Sequence, residues 1–190
     1  NSTITGDYTI GIKSEWLSLV GDVFGRYISG ISGDYLFHSV PYYSMSEEDL
    51  ELEEFNKLGE QASQGCVRLA VSDAKWVYDN CPTGTNVSIY DDAENAGPLG
   101  KPDAIKITDF TNKWDPTDSN KKCPYAKATP IISGANDYTI KSGGEFYALA
   151  GVTAVDTCGN DITSNIEVFG NVVTTRTGKY KVTYSVTDVL

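Results

Sequence analysis

Apolar and polar residues alternate over residues 7–12, placing Tyr8, Ile10 and Ile12 on one face and predicting a half-buried strand. The same period returns over 34–40, with Leu36, His38 and Val40 on one side and Tyr35, Phe37 and Ser39 on the other. Pro41 ends that strand, because it cannot donate to a ladder. Ser46-Glu47-Glu48-Asp49 reads as a capping box opening a helix with Leu52, Phe55 and Leu58 as its apolar stripe. A second helix is predicted with Ser72 as N-cap, Ala74, Val77 and Tyr78 inside, and Pro82 and Gly84 stopping it. Residues 86–90 then read as a closing strand.

From 91 to 130 the pattern breaks. Gly97-Pro98, Lys101-Pro102, Asp115-Pro116 and Cys123-Pro124 punctuate a stretch without a period, which predicts an extension over the first domain and then a linker. Beyond Pro130 everything alternates at short range. Strands are expected at 138–140, 146–149, 152–155, 166–169 and 179–186, separated by Gly-containing turns, as in a small β-sandwich. The expected domains are 1–92, an extension and linker at 93–127, and a second domain at 128–190.

Composition narrows the function. The net charge is −11 in 190 residues, which argues against nucleic acid or an anionic membrane as partner. No apolar run approaches a membrane span and no N-terminal apolar leader is visible, which leaves open the mature part of a secreted protein. The chain holds one His, so a metal site built on histidines is ruled out, and a histidine base has to be His38.

Two segments carry candidate chemistry: Phe37-His38-Ser39-Val40-Pro41 and Ser63-Gln64-Gly65-Cys66-Val67-Arg68-Leu69. A glycine before a cysteine suits a tight turn whose backbone N–H groups converge on a substrate oxygen. A free thiol is only a few per cent thiolate at neutral pH, so a nucleophilic cysteine needs a neighbouring base. His38 and Cys66 can meet only through tertiary structure. Taken singly, each residue also reads as an ordinary buried side chain.

Together, in this order, the two segments resemble the signature of the L,D-transpeptidase (YkuD-type) catalytic domain: a strand ending in His, an insertion, then Ser/Thr-x-Gly-Cys followed by an aliphatic residue and Arg or Asn. The likeness continues through the helix after Cys66, the strand at 86–90 and Thr5-Gly6-Asp7-Tyr8-Thr9-Ile10, covering about residues 2–92. It implies a mainly β fold with a few helices, an L,D-transpeptidase-type β-sandwich followed by an Ig-like one. The family normally begins with further strands before the Thr-Gly-x-Phe strand, and the first domain is expected to lack them.

The resemblance makes Cys66 the nucleophile and His38 the general base. It gives the Ser39 carbonyl the orienting role and Gly65 with Cys66 the oxyanion hole. Arg68 either holds the turn or faces a substrate carboxylate. Ser63, Gln64 and Tyr42 complete the candidate substrate-binding set, with Ser63 as a turn-stabilising hydroxyl and Gln64 where many members carry a second His. The acidic insertion at 43–61 is either a lid or a solvated helix. The implied activity is 3→3 cross-linking of peptidoglycan stem peptides in the cell wall, without metal or organic cofactor and with carbapenem β-lactams as covalent inhibitors. An L,D-carboxypeptidase and a non-catalytic wall-binding module are the rivals.

Residues 155–188 resemble bacterial cell-surface Ig-like domains, serving as a spacer or as a wall binder, and this places the protein outside the cell. Cys81 reads as a packing residue, and a Cys123–Cys158 disulfide is left open.

Overall fold

The computed structural model describes residues 3–92, 94, 97 and 100–190. Pro98 of the expected Gly97-Pro98 break lies outside the described residues. The chain divides into two units, Asn1–Ala126 and Lys127–Leu190.

The first unit is built on a four-stranded sheet in the order β2-β3-β4-β5: β2 (Lys13–Leu19), β3 (Val23–Ser32), β4 (Tyr35–Ser39) and β5 (Val67–Leu69). β2, β3 and β4 form an antiparallel meander, and β5 then pairs in parallel with β4. β1 (Gly6–Thr9) pairs with β6 (Asn86–Ile89) in a separate antiparallel ribbon. That ribbon is tied to the sheet by Gly11 N–H donating to Gly30 O and by Gly30 N–H donating to Ile12 O. Of the three residues expected on the inner face of the first strand, Ile10 is fully buried, but Ile12 is 63% exposed because the strand ends at Thr9.

β2 and β3 were not anticipated from sequence. β3 carries two glycines, Gly25 and Gly30, and the charged Arg26, yet Arg26 through Ile31 are all buried. The Arg26 guanidinium is neutralised there by Asp118 (3.0 Å) and Glu47 (2.5 Å), far away in sequence. Buried charge of this kind persists only when paired. Tyr27 adopts φ 54°, and its ring packs on Tyr78 (5.6 Å between centroids) of the helix at Val71–Asn80.

The capping-box helix does not form at Ser46. Ser46 Oγ accepts the Glu48 N–H, Ser44 Oγ donates to the Asp49 carboxylate, and Tyr42 and Leu50 bridge in antiparallel fashion. Local side-chain bonds of this type compete with helix. Helix α1 is confined to Leu52–Phe55, and its apolar stripe does reach the core through Leu52 and Phe55, with Leu58 packed alongside. Helix α2 runs Val71–Asn80. Ser72 is not its N-cap: Ala70 holds that position, and the caps come from the extension. The Asp115 carboxylate accepts the Val71 N–H (2.9 Å), and Thr117 Oγ1 accepts the Ser72 N–H (3.1 Å). These satisfy orphan donors of the first turn from more than forty residues downstream.

The core gathers Tyr27, Val40, Tyr42, Leu50, Leu52, Phe55, Val71, Ala74 and Ile107. Ile107 is pinned by Asn56, whose amide donates to Ile107 O (2.8 Å) and accepts its N–H (2.7 Å).

The second unit holds two small antiparallel sheets, β7 (Ile131–Ser133) with β8 (Thr153–Val155) and β9 (Glu167–Phe169) with β10 (Thr183–Ser185). They pack around Val152, Ala154 and Ile166, with Ile132, Val168 and Tyr184 alongside. The strands expected at 138–140 and 146–149 are not formed. Turns closed by Gly144 N–H to Lys141 O and by Ala150 N–H to Tyr147 O bend that segment, and Tyr138 stacks on Phe146 at 5.9 Å. Mainly β structure with a few helices describes both units.

Candidate active site

β4 and β5 lie side by side in register, Phe37 beside Val67, His38 beside Arg68 and Ser39 beside Leu69. Parallel in-register neighbours share a face, as do alternate residues along each strand. Leu36, His38 and Arg68 therefore share one face, and Cys66, one residue before β5, continues that register beside Leu36. The crossover from β4 to β5 spends the chain between them on the insertion and on the turn that presents the cysteine.

That turn is built from Ser63, Gln64 and Gly65. Gly65 takes φ 121°, a region open to glycine and closed to most L-residues. Ser63 Oγ accepts the Gly65 N–H (3.1 Å) and donates to Cys66 O (2.7 Å), so one hydroxyl fastens the turn at both ends. The Cys66 thiol donates to Asp34 O (3.4 Å), on the turn that joins β3 to β4. Burial pushes the Cys66 thiol up, with the Asp34 carboxylate adding to the effect. The Leu36 backbone and the Arg68 charge pull it back.

His38 is 2% exposed. Its Nδ1 lies 2.5 Å from Ser39 O. A carbonyl can only accept, so Nδ1 carries the proton and Nε2 keeps its lone pair. Burial holds the imidazole down at about 4, against the pull of the Ser39 carbonyl and helped by Arg68. At neutral pH the site therefore holds a neutral base and a neutral thiol. Ser39 is in turn fixed: its Oγ accepts the Arg26 N–H (2.9 Å) and donates to Val40 O (2.8 Å). Room for the ring comes from Gly25 on β3. A methyl at that position would stand 3.2 Å from His38 Nδ1, 3.1 Å from Leu19 Cδ1 and 3.0 Å from Ile28 Cδ1.

An open cleft of about 290 Å³ runs past Cys66. Leu19, Val20, Val23 and Pro41 give it an apolar wall, and Asp34, Tyr35, Gln64, Cys66 and Arg68 a polar one. Arg68 Nη1 meets Glu54 Oε2 of α1 at 2.5 Å, and Lys57 holds the other oxygen of that carboxylate. Tyr42 is a correction: it is fully buried, edge-on to Trp16 at 5.2 Å, and cannot touch a substrate in the cleft. After Pro41 the chain turns inward, and Tyr42 bridges Phe24 and Leu50. Sequence reasoning missed Asp34, the Leu19–Val23 wall, Gly25 and Glu54. The Gly33-Asp34 turn was a visible signal, whereas Glu54 is one of many acids in the insertion. Among the described residues, no group of three or more His, Cys, Asp or Glu is arranged to hold a metal ion.

Residues 1–89 match the family described as L,D-transpeptidase catalytic domain, YkuD. The first unit carries a YkuD domain. Residues 130–189 match the bacterial surface protein Ig-like domain. Over 57 residues the chain is 49% identical to YciB of Bacillus subtilis (strain 168), named as a candidate L,D-transpeptidase. That stretch is 30% of this chain and 28% of YciB. Among solved structures, it is 37% identical to a fused Zn-dependent amidase/peptidase/peptidoglycan-binding domain-containing protein from Clostridium acetobutylicum, covering 47% of this chain and 34% of that one at a TM-score of 0.35. An L,D-transpeptidase from Stackebrandtia nassauensis is 19% identical over 48% of this chain and 40% of its own, at a TM-score of 0.36. The chain thus spans well under half the length of these relatives. Cys66, Cys81 and Cys123 carry thiols, and the buried Cys123 thiol donates to Asp115 O at 3.6 Å.

Proposed function

We propose that the protein is a cysteine-dependent L,D-transpeptidase that cross-links peptidoglycan stems at the cell surface. Cys66 Sγ attacks the carbonyl of the third residue of a tetrapeptide stem while its proton passes to His38 Nε2. The C–N bond to the terminal D-Ala breaks, His38 returns the proton to the leaving amine, and a thioester remains. An amine from a neighbouring stem then attacks the thioester, forming the 3→3 amide and releasing the thiol. Backbone N–H groups around Gly65 and Cys66 receive the oxyanion, which requires the Gly65 N–H to leave Ser63 Oγ, the acceptor it holds at 3.1 Å. Gln64 faces the substrate from the polar wall. The Ig-like unit holds the catalytic unit at the wall as a spacer.

The observation that carries this reading is a pairing of two features: Cys66 lies one residue before β5 and two before Arg68, the residue beside His38 across the parallel strands, and burial keeps His38 a neutral imidazole facing the Ser39 carbonyl. Intact-protein mass spectrometry after carbapenem treatment tests it. One adduct is expected, on the peptide containing residues 63–68, abolished by Cys66→Ala and slowed by about 10²- to 10⁴-fold in His38→Ala. An adduct that survives Cys66→Ala, or spreads equally over the other cysteines, refutes the assignment.

A further inference from the structure

The acidic insertion between β4 and the Cys66 turn holds residues 43–61, and its one helix points a carboxylate at the active-site cleft. Glu54 on α1 grips Arg68 Nη1 at 2.5 Å, and Arg68 lines the cleft with Cys66. The two side chains are only partly exposed, 22% for Arg68 and 24% for Glu54. Glu54 does not depend on Arg68 alone, because Lys57 at 2.5 Å engages its second oxygen and holds the carboxylate in place when the guanidinium leaves. A guanidinium presents five N–H donors in a planar fork suited to bidentate carboxylates, and here Nη1 is committed to Glu54. Hydrogen bonding to Lys57 and Arg68 keeps Glu54 ionised, below the usual carboxylate range.

We propose that Arg68 is a carboxylate-binding subsite of the cleft and that Glu54 is its internal competitor, a specificity-determining residue that a ligand carboxylate has to displace. The proposal rests on Cys66 being the reactive thiol of this cleft. Its logic is that of exchange. A lone carboxylate gains little by replacing Glu54, since one ion pair is traded for another. A ligand that also fills the apolar wall of Leu19, Val20 and Val23 can complete the exchange. The insertion thereby acts as a filter against small anions rather than as a solvated helix or a passive lid.

The test compares alkylation of Cys66 by iodoacetate and by iodoacetamide, read by mass spectrometry of the peptide holding residues 63–68, at one mildly alkaline pH. Both reagents consume the same thiolate, so any change in thiol acidity cancels in their rate ratio, and the ratio reports the attraction for a carboxylate. Glu54→Gln keeps shape and removes the competitor. The iodoacetate/iodoacetamide ratio is expected to rise about three- to fivefold, the size of a partly exposed charge pair. Arg68→Gln lowers the ratio below the unmodified protein, and in Arg68→Gln the further change Glu54→Gln leaves it within about twofold. A ratio that falls in Glu54→Gln, or rises equally with and without Arg68, overturns the proposal. A thiol that alkylates without performing acyl transfer still reports the ratio. Failure of the carbapenem adduct and failure of the competitor are therefore separate results.

Discussion

Lowering the pH from neutrality toward 4 should protonate His38 in the unfolded chain well before it does so in the folded one. The unfolded imidazole titrates at 6.5, whereas burial holds the folded one at about 4. Between those values the unfolded state binds more protons, so stability rises with pH. The contribution is fully present above 6.5 and is lost as the pH falls toward 4. Its size is 6.5 − 4 = 2.5 pH units, or about 3 kcal/mol at 1.36 kcal/mol per unit. His38 is 2% exposed, so solvent screening takes little from that figure.

The assay is urea unfolding followed by tryptophan fluorescence, at a series of pH values, for the protein and for His38→Gln. Trp16, Trp76 and Trp114 all lie in the first unit, so the signal reports the unit that holds the site. Taking the difference between the two proteins cancels every other titrating group that does not couple to His38. The difference curve should climb by about 3 kcal/mol between pH 4 and 7, a urea midpoint shift of roughly 1–3 M for an ordinary slope. A flat curve would refute the buried neutral imidazole. A curve that descends over the same window would mean an imidazolium stabilised by a thiolate, and the resting site would then be an ion pair.

Two further perturbations bear on the same framework. Gly25→Ala puts a methyl 3.2 Å from His38 Nδ1, and carbapenem acylation of Cys66 is expected to slow about tenfold or more, while overpacking lowers stability by about 1–3 kcal/mol. An unchanged acylation rate would show that the ring is not confined there. Asp115→Asn weakens the cap that accepts Val71 N–H and the Thr117 N–H and hydroxyl, costing about 1–3 kcal/mol. Burial raises the Asp115 carboxyl from 3.8 to about 6, so the stability its protonated form supplies is lost as pH rises through 6. The deficit of Asp115→Asn in urea midpoint should accordingly narrow from pH 4 to 7, and a deficit that widens would contradict the assignment.

What could be read from the sequence followed local pattern. The His38 strand, α2 and the closing strand each carry their period or stop signals within a few residues, and each is found within a residue or two of its expected place. The Ser63-Gln64-Gly65-Cys66 turn was legible because glycine before cysteine states its own backbone requirement. Features set by distant partners were not legible. Nothing near Arg26 announces that Asp118 and Glu47 will neutralise it, so the longest strand of the sheet went unread. Ser72 was a sound local N-cap, but Asp115 and Thr117 reach α2 from the other side of the chain and shift the cap to Ala70. Tyr42 failed for the same reason, since Trp16 and Leu50 claim it for the core.

Those distant partners also explain how so small a sheet can hold the geometry of the proposed site. β4 and β5 share only three register pairs, too few to fix two side chains on their own. The extension braces both. On the β4 side, Asp118 holds the Arg26 guanidinium, and the Arg26 N–H holds the Ser39 hydroxyl, on the same residue as the carbonyl that orients His38. On the β5 side, Asp115 caps the helix that leaves the strand two residues after Leu69. Two aspartates three positions apart thus bracket the strand pair. The turn at 115–118 makes the spacing rigid, with Asp118 N–H donating to Asp115 O and Thr117 closing on the Asp115 carboxylate. The family-matched segment ends at 89, but groups that brace the proposed dyad lie beyond it, in a stretch whose Pro-punctuated sequence carries no period of its own. The 115–118 turn is ordered by the bonds it makes to the sheet and to α2, and the precision of the proposed site depends on that order in return.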